Sequence, residues 1–504
     1  MKVESQPEKP RSHSVALDYA WYFLSNVSFV LAGMVSLPIT ARKLSKLQYG
    51  ILGFFEPFST IWIALLKFGF QHSIIRFYSL SFQKRHAFFS TLLWAPQVGS
   101  LVLTFVSILL LCATRLLFVI PNFWFILALL CWCQGEAWNS LFQNVLVSER
   151  LSHVAAGYTS LLRWLTALFG ITTVVLISPT ATGLLWARVC ADLITGAAIF
   201  RTIVKKATPS IAAFERPIFT EALQYGIPMS MTEVSAVIHD QLDRIVLAVY
   251  LGYAELGVYH LNYCVAQYLG ALLATSFNSA FNPFANQIYD ASGASEYRMR
   301  IKGTVRPLRY ASAAIIAGIF AFGSDVVRLM VSGDKARPDI FVIVATTFAL
   351  LPLAGVLTYG LALRKKANIL LVTLLISCAV NLGVNLFLVP RIGVIGAAYA
   401  TAVSFGSLWL TRLALTPKET IPVESSMDFV KPAISGLVTC MIVMSLDARL
   451  SNVVLRLGVG GLVFAVVFSG LAFFLDRELR EQMLALSGRI LRQQAWRRYP
   501  FAER

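Results

Sequence analysis

Apolar stretches of about twenty residues recur from one end of the chain to the other, separated by short polar breaks. At 1.5 Å per residue, a helix of that length matches the hydrocarbon core of a bilayer. Only helices or a closed barrel can cross that core, because lipid offers backbone N–H and C=O groups no partner. Barrel strands alternate polar and apolar positions over about ten residues. Unbroken runs such as Leu101 to Cys112 and Val454 to Leu475 do not alternate in that way. The pattern therefore predicts an all-α, polytopic membrane protein of about 14 transmembrane helices. The expected spans are Leu17–Thr40, Ile51–Gly69, Ala87–Cys112, Asn122–Val145, Ala155–Ser178, Ala181–Val204, Glu221–Tyr250, Leu256–Phe284, Pro307–Gly323, Asp339–Leu363, Ile369–Val389, Gly393–Ala414, Val430–Leu446 and Val454–Leu475.

The breaks are short. The longest are Lys205–Phe219, Ala291–Arg306 and Pro417–Asp428, and none can hold a soluble catalytic domain. This divides the chain into a cytoplasmic N-tail (1–14), a six-span N-lobe (15–204), a cytoplasmic linker (205–219), a six-span C-lobe (220–416), two further spans (430–475) and a basic tail (476–504). Met1 to Ser14 is polar and shows no cleavage-site pattern, so the first span is expected to be retained. The tail places Leu479, Met483, Leu486 and Ile490 on one helical stripe flanked by Arg480, Arg489, Arg492, Arg497 and Arg498. It reads as a helix lying on an anionic leaflet and dispensable for transport.

Composition agrees with the span pattern. The chain is 57% hydrophobic and only 14% charged, whereas soluble domains carry about 25% charged residues. Its net charge of +17 could suggest nucleic acid, but the basic residues are spread over short loops rather than gathered in a domain. Assigned alternately to the two faces, the loops split Lys and Arg roughly three to one, which places both termini in the cytoplasm of a cell (inner) membrane. The seven cysteines (112, 131, 133, 190, 264, 378 and 440) lie in or beside apolar runs and form no CxxC or zinc spacing. They read as free, packed thiols, and no metal and no cofactor are expected.

Two segments repeat. LSKLQYGILGF (Leu44–Phe54) resembles LGYAELGVYHLN (Leu251–Asn262), and Gly183–Ala187 echoes Gly396–Ala400. Both offsets are just over two hundred residues, which equals six spans, so the repeats keep the same orientation and are related by an axis along the membrane normal. Two such lobes in a pseudo-twofold arrangement enclose a central cavity whose access can alternate.

Ionisable side chains within spans are costly and point to function. The second span carries Glu56 and Lys67, the fourth Glu136, the fifth Arg163, the sixth Arg188 and Asp192, and the seventh Glu233, Asp240, Asp243 and Arg244. The i,i+4 spacing lets Arg188 pair with Asp192 and Asp240 with Arg244. Lys67 and Arg163 have no partner on their own helices. The expectation is a wet, cationic cavity of Lys67, Arg163, Arg188 and Arg244, suited to phosphate or diphosphate. Glu56, Glu136, Asp192, Glu233, Asp240 and Asp243 are its acidic, ion-coupling candidates, for Na+ or H+. The last two spans carry no mid-span charge and are expected at the periphery.

Three segments carry a resemblance. Pro38–Ser79 has Arg42, Leu44, Tyr49-Gly50, Gly69 and Arg76-Phe77; Tyr225–Tyr263 has Gly226, Pro228, Asp243-Arg244, Gly257 and Tyr259; Asn381–Thr401 has Asn381, Asn385, Pro390, Gly393, Gly396 and Ala397. In that order they resemble the polysaccharide exporters, the O-antigen and exopolysaccharide flippases of the multidrug/oligosaccharidyl-lipid/polysaccharide superfamily. The resemblance implies a V-shaped transporter of two six-helix lobes plus two helices, not an enzyme. It also implies an undecaprenyl-diphosphate oligosaccharide as substrate, alternating access driven by a cation gradient or the membrane potential, and possible contact with polymerase or glycosyltransferase partners. The alternative is a multidrug/toxin extrusion antiporter of the same superfamily, kept open by Glu233 and Asp240. A major-facilitator reading fails at Tyr78–Ala87, where the expected Asp-Arg loop motif is absent.

Overall fold

The computed structural model describes residues 12–78, 85–113, 122–149, 151–207, 210–331, 333–364, 366–422, 427–447 and 452–481. All regular structure among them is helical. Eleven segments are long and apolar enough to cross a bilayer. Three more complete the set of fourteen spans: Phe123–Ser148 and the two parts of the helical run from Arg216 that break at Gly252. These three fall short on apolarity because they carry the polar stripes: Gln134, Glu136 and Asn139 in the fourth span, Glu233 to Arg244 in the seventh, and His260 and Asn262 in the eighth.

Two breaks are made by glycines in the left-handed region, where a side chain would be strained. Gly252 (φ 81°) separates the seventh span (216–251) from the eighth, and Gly293 (φ 77°) separates the eighth (253–292) from the ninth (294–330). The Ala291–Arg306 stretch is therefore helix and not the loop expected from sequence. The second span also ends earlier than expected, at Leu66. Phe68 (φ 49°) and Gly69 (φ 76°) turn the chain there, and Phe70–Phe77 continues as a separate short helix.

The second span packs along the seventh and eighth, which joins the lobes. The repeated motifs meet each other at this seam. A Cβ on Gly50 would overlap the carbonyl oxygen of Tyr253, and a Cβ on Gly257 would overlap that of Lys46. The offset between the repeats maps one contact onto the other, as a twofold relation between lobes requires. Nearby, Lys335 donates to the carbonyls of Ala41 (2.7 Å) and Leu44 (2.6 Å), and Lys46 pairs with Asp334 at 2.5 Å. At the opposite end, a Cβ on Gly69 would overlap the backbone of Gly226. The lobes thus touch at both ends of the seam.

The last two spans, Met427–Asp447 and the helix closing at Leu475, lie against the ninth. Arg456 pairs with Asp325 at 2.9 Å. At the other end, Arg309 pairs with Asp428 at 3.1 Å, and Arg306 and Tyr310 reach Asp476 at 3.5 and 3.4 Å. The start of the tail is therefore part of the packed structure, and Leu479 is buried against Tyr310 and Phe468. The basic stripe beyond Glu481 lies outside the described residues.

Candidate functional site: ion pairs across the seam between lobes

The second and seventh spans run antiparallel with a matched charge pattern. Glu56 and Lys67 lie eleven residues apart, and so do Glu233 and Arg244. Eleven residues make three helical turns, so each pair projects from one face. Arg244 pairs with Glu56 through Nη1, and Lys67 donates to Glu233 at 2.7 Å. Gln71 adds a 2.8 Å bond to the other Glu233 oxygen, with His72 at 3.6 Å. The pairing expected between Asp240 and Arg244 is corrected here. Arg244 takes its partner from the opposite lobe and not from Asp240, which instead lies 3.0 Å from His239. Lys67, expected to meet a ligand anion, meets a carboxylate of the protein.

Arg244 is fully buried, and its guanidinium lies 5.2 Å from the Tyr263 ring. Its Nε and Nη2 make no hydrogen bond among the described residues. A guanidinium carries five donors, so Glu56 leaves part of this group unspent. Glu56 also has His260 at 3.5 Å. Glu56, Arg188 and His260 line one small cavity with Trp132 and Phe125.

Arg188 does not bond Asp192. It sits over Trp132 at 4.8 Å, a cation–π arrangement. Arg163 likewise sits over Phe29 at 5.1 Å. Among the described residues neither arginine has a carboxylate at ion-pair distance. Asp192 accepts from Asn139 Nδ2 at 2.8 Å and faces Glu136 within hydrogen-bonding reach. Asp243 accepts from Tyr259 and, at 3.3 Å, from Thr401.

The ten candidates thus separate into groups. Glu56, Arg188 and Arg244 come together at mid-span with His260; Lys67 and Glu233 close one end of the seam. Glu136 and Asp192 form an acidic pair inside the N-lobe, Asp240 and Asp243 bond within the C-lobe, and Arg163 stands apart over the Phe29 ring. His260, His239, Gln71 and His72 were missed by the sequence reading, which treated only Lys, Arg, Asp and Glu as intramembrane charges. Among the described residues no group of three or more His, Cys, Asp or Glu side chains could hold a metal ion.

A family model described as polysaccharide biosynthesis protein matches residues 15–288. No curated protein matches the sequence. Among solved structures, the lipid II flippase MurJ in an inward closed conformation superposes with a TM-score of 0.73 at 14% identity, covering 92% of this chain and 99% of that one. An inward-facing multidrug resistance MATE transporter superposes at 0.63 with 15% identity, over 85% and 100% of the two chains. The Vibrio cholerae MATE transporter VcmN in its bent form gives 0.53 at 12% identity, over 82% and 100%. At these identities the likeness establishes the fold.

Proposed function

Because the chain belongs to the polysaccharide biosynthesis protein family, we propose that it is a flippase that carries a lipid-linked oligosaccharide, on undecaprenyl diphosphate, from the cytoplasmic to the outer leaflet. It works by alternating access in the cell inner membrane with both termini in the cytoplasm. The observation that carries this reading is Arg244, a buried arginine between the lobes that holds Glu56 with one nitrogen and has two others without a partner among the described residues.

A diphosphate entering between the lobes competes with Glu56 for that guanidinium. Charge-assisted bonds from Arg to phosphate oxygens are strong and directional. Arg188, on the same cavity, supplies a second cation once it leaves the face of Trp132. Before substrate arrives, Glu56 offsets the charge of Arg244 and Glu233 that of Lys67, so neither cation is buried unpaired. Breaking the Lys67–Glu233 pair frees one end of the seam to open. A cationic drug entering at the seam would find Glu56 and Glu233 already engaged by cations.

The test is in cells that depend on this chain for surface polysaccharide. Arg244→Gln and Arg188→Gln should lower export at least tenfold and cause lipid-linked oligosaccharide to accumulate, with membrane abundance unchanged. Arg→Lys should restore export only in part, since Lys lacks the bidentate fork. Parental export by the Gln variants would refute this reading of the site.

A further inference from the structure

The turn between the ninth and tenth spans reaches across to the other lobe. It is a short 3-10 helix, Gly333–Lys335, entered at Gly333 in the left-handed region (φ 61°). The first span ends at Lys43, and the last carbonyls of a helix have no donor within it. Thr40 finds one in the Leu44 N–H at 2.9 Å. The next carbonyl, that of Ala41, accepts from Lys335 Nζ at 2.7 Å, and the same ammonium donates to the Leu44 carbonyl at 2.6 Å. Ala41 and Leu44 are both buried. A C-lobe lysine therefore caps an N-lobe helix, with its positive charge at the negative end of the helix dipole.

Lys335 is held in place from behind. Asn262, in the eighth span and fully buried, donates from Nδ2 to the Lys335 carbonyl at 2.8 Å and accepts the Arg337 N–H on Oδ1 at 2.9 Å. Its Nδ2 also donates to the Val258 carbonyl of its own helix at 2.7 Å. One buried amide thus ties both sides of the turn to the eighth span. Asn262 lies five residues beyond Gly257, whose close approach to Lys46 is part of this end of the seam. Arg337 turns to Asp339 at 2.6 Å, and Lys335 turns to the N-lobe. The pair Lys46–Asp334 also crosses the seam, but the Asp334 side chain is 74% exposed, and exposed pairs contribute little.

The alternating access proposed above requires this end of the seam to part. Parting separates Gly50 from Tyr253 and Gly257 from Lys46, and it must also draw Lys335 off Ala41 and Leu44. The glycine contacts permit a close approach without holding it. The Lys335 contacts are charge-assisted bonds, present when this end is closed and lost when it opens. A difference of that kind between two states is what biases their equilibrium. Its acceptors are main-chain carbonyls, so the hold needs no ionised carboxylate, unlike the Lys67–Glu233 pair at the other end.

We propose that Lys335 is the latch of this end of the seam: anchored through Asn262, it grips the end of the first span and sets the fraction of molecules closed there. On the topology proposed above this is the outer end, so the latch governs how readily the cavity opens to the outside. The latch stands on these contacts alone. Its assignment to the outer face rests on that topology, and its part in transport rests on the flippase reading.

The test uses the purified full-length protein in lipid nanodiscs, with spin labels carried on noncanonical residues in place of Lys43 and Arg391, both exposed. The distance between labels should report a mainly closed population in the parental protein. Lys335→Met, which keeps the length and removes the charge, should raise the ratio of open to closed molecules at least tenfold. Lys335→Arg, which can still donate to two carbonyls, should raise it less than threefold, and Asp334→Asn less than twofold. A parental distance distribution in Lys335→Met would overturn the latch, as would an equal opening in Asp334→Asn. A second measurement needs no substitution: acetylation of the parental protein, followed residue by residue by mass spectrometry, should reach Lys335 at least tenfold more slowly than Lys43. Equal rates would overturn the latch as well. On intact cells, a membrane-impermeant amine reagent should label Lys43 from outside. Labelling only after lysis would overturn the outer assignment and leave the latch standing. In proteoliposomes, Lys335→Met should lower transfer of an undecaprenyl-diphosphate trisaccharide at least threefold. Parental transfer by that variant would overturn the latch's part in transport, whereas no transfer by the parental protein, with the distance shift intact, would overturn the flippase reading and leave the latch standing.

Discussion

The pairing of Arg244 with Glu56, rather than with the nearby Asp240, has a measurable consequence. Arg244 is fully buried and the Glu56 side chain is 30% exposed. Removing one partner of a buried pair leaves the other charge uncompensated, at about 3–5 kcal/mol for a fully buried pair. Glu56→Gln orphans the more buried partner and should cost about 3 kcal/mol. Arg244→Gln orphans a carboxylate that keeps some solvent and the neighbouring His260, so its cost should be about 1–2 kcal/mol. In the double variant neither charge remains, and about 2 kcal/mol of the summed cost should be recovered. Specific unfolding entropies put a melting shift for a chain of this size at about 1 °C per kcal/mol. The losses and the recovery are then a few degrees each, measurable by thermal unfolding of the purified protein in detergent. The parallel cycle of Asp240→Asn with Arg244→Gln should show no coupling beyond about 0.5 kcal/mol. Additive losses at 56 and 244, or a coupling energy at 240 and 244, would refute the pairing between lobes.

Other outcomes follow from the same seam and its edges. Gly50→Ala places a methyl group on the Tyr253 carbonyl and should prop the lobes apart, lowering the fraction closed at least tenfold in a cross-linking assay across that contact. Truncation after Leu475 removes Asp476 and Leu479 from the ninth-span seam and should lower the melting temperature by about 2 °C or more, whereas truncation after Glu481 should leave it unchanged. Arg163→Gln removes a cation from the face of Phe29 and should reduce polysaccharide export without changing membrane abundance. A reporter fused after Arg504 should be active only in its cytoplasmic form.

The helices were legible because hydrocarbon forces a one-dimensional code: a span needs about twenty apolar residues whatever its neighbours do. That code held even in the fourth, seventh and eighth spans, whose polar stripes weaken their apolarity. It failed between 291 and 306, where polar residues continue a helix past a kink at Gly293. The partners of the buried charges were not legible. The i,i+4 rule sees only neighbours on one helix, so it joined Asp240 to Arg244 and Arg188 to Asp192. The true partners of Arg244 and Lys67 lie 188 and 166 residues away in sequence. A signal was nonetheless present: two spans, each with opposite charges eleven residues apart, are complementary when antiparallel. His239 was missed because only Lys, Arg, Asp and Glu were weighed as intramembrane polar anchors, although its ring lies 2.7 Å from the Ser377 hydroxyl on another span.

The most direct measurement is transfer of an undecaprenyl-diphosphate trisaccharide between leaflets of proteoliposomes that contain only this protein, read by access of an external glycosidase to the sugar. The account gives transfer that depends on the protein and falls at least tenfold in Arg244→Gln, with the reconstituted amount equal. Transfer at the rate of protein-free liposomes, with folded parental protein in the bilayer and a proton gradient applied in either direction, would contradict it.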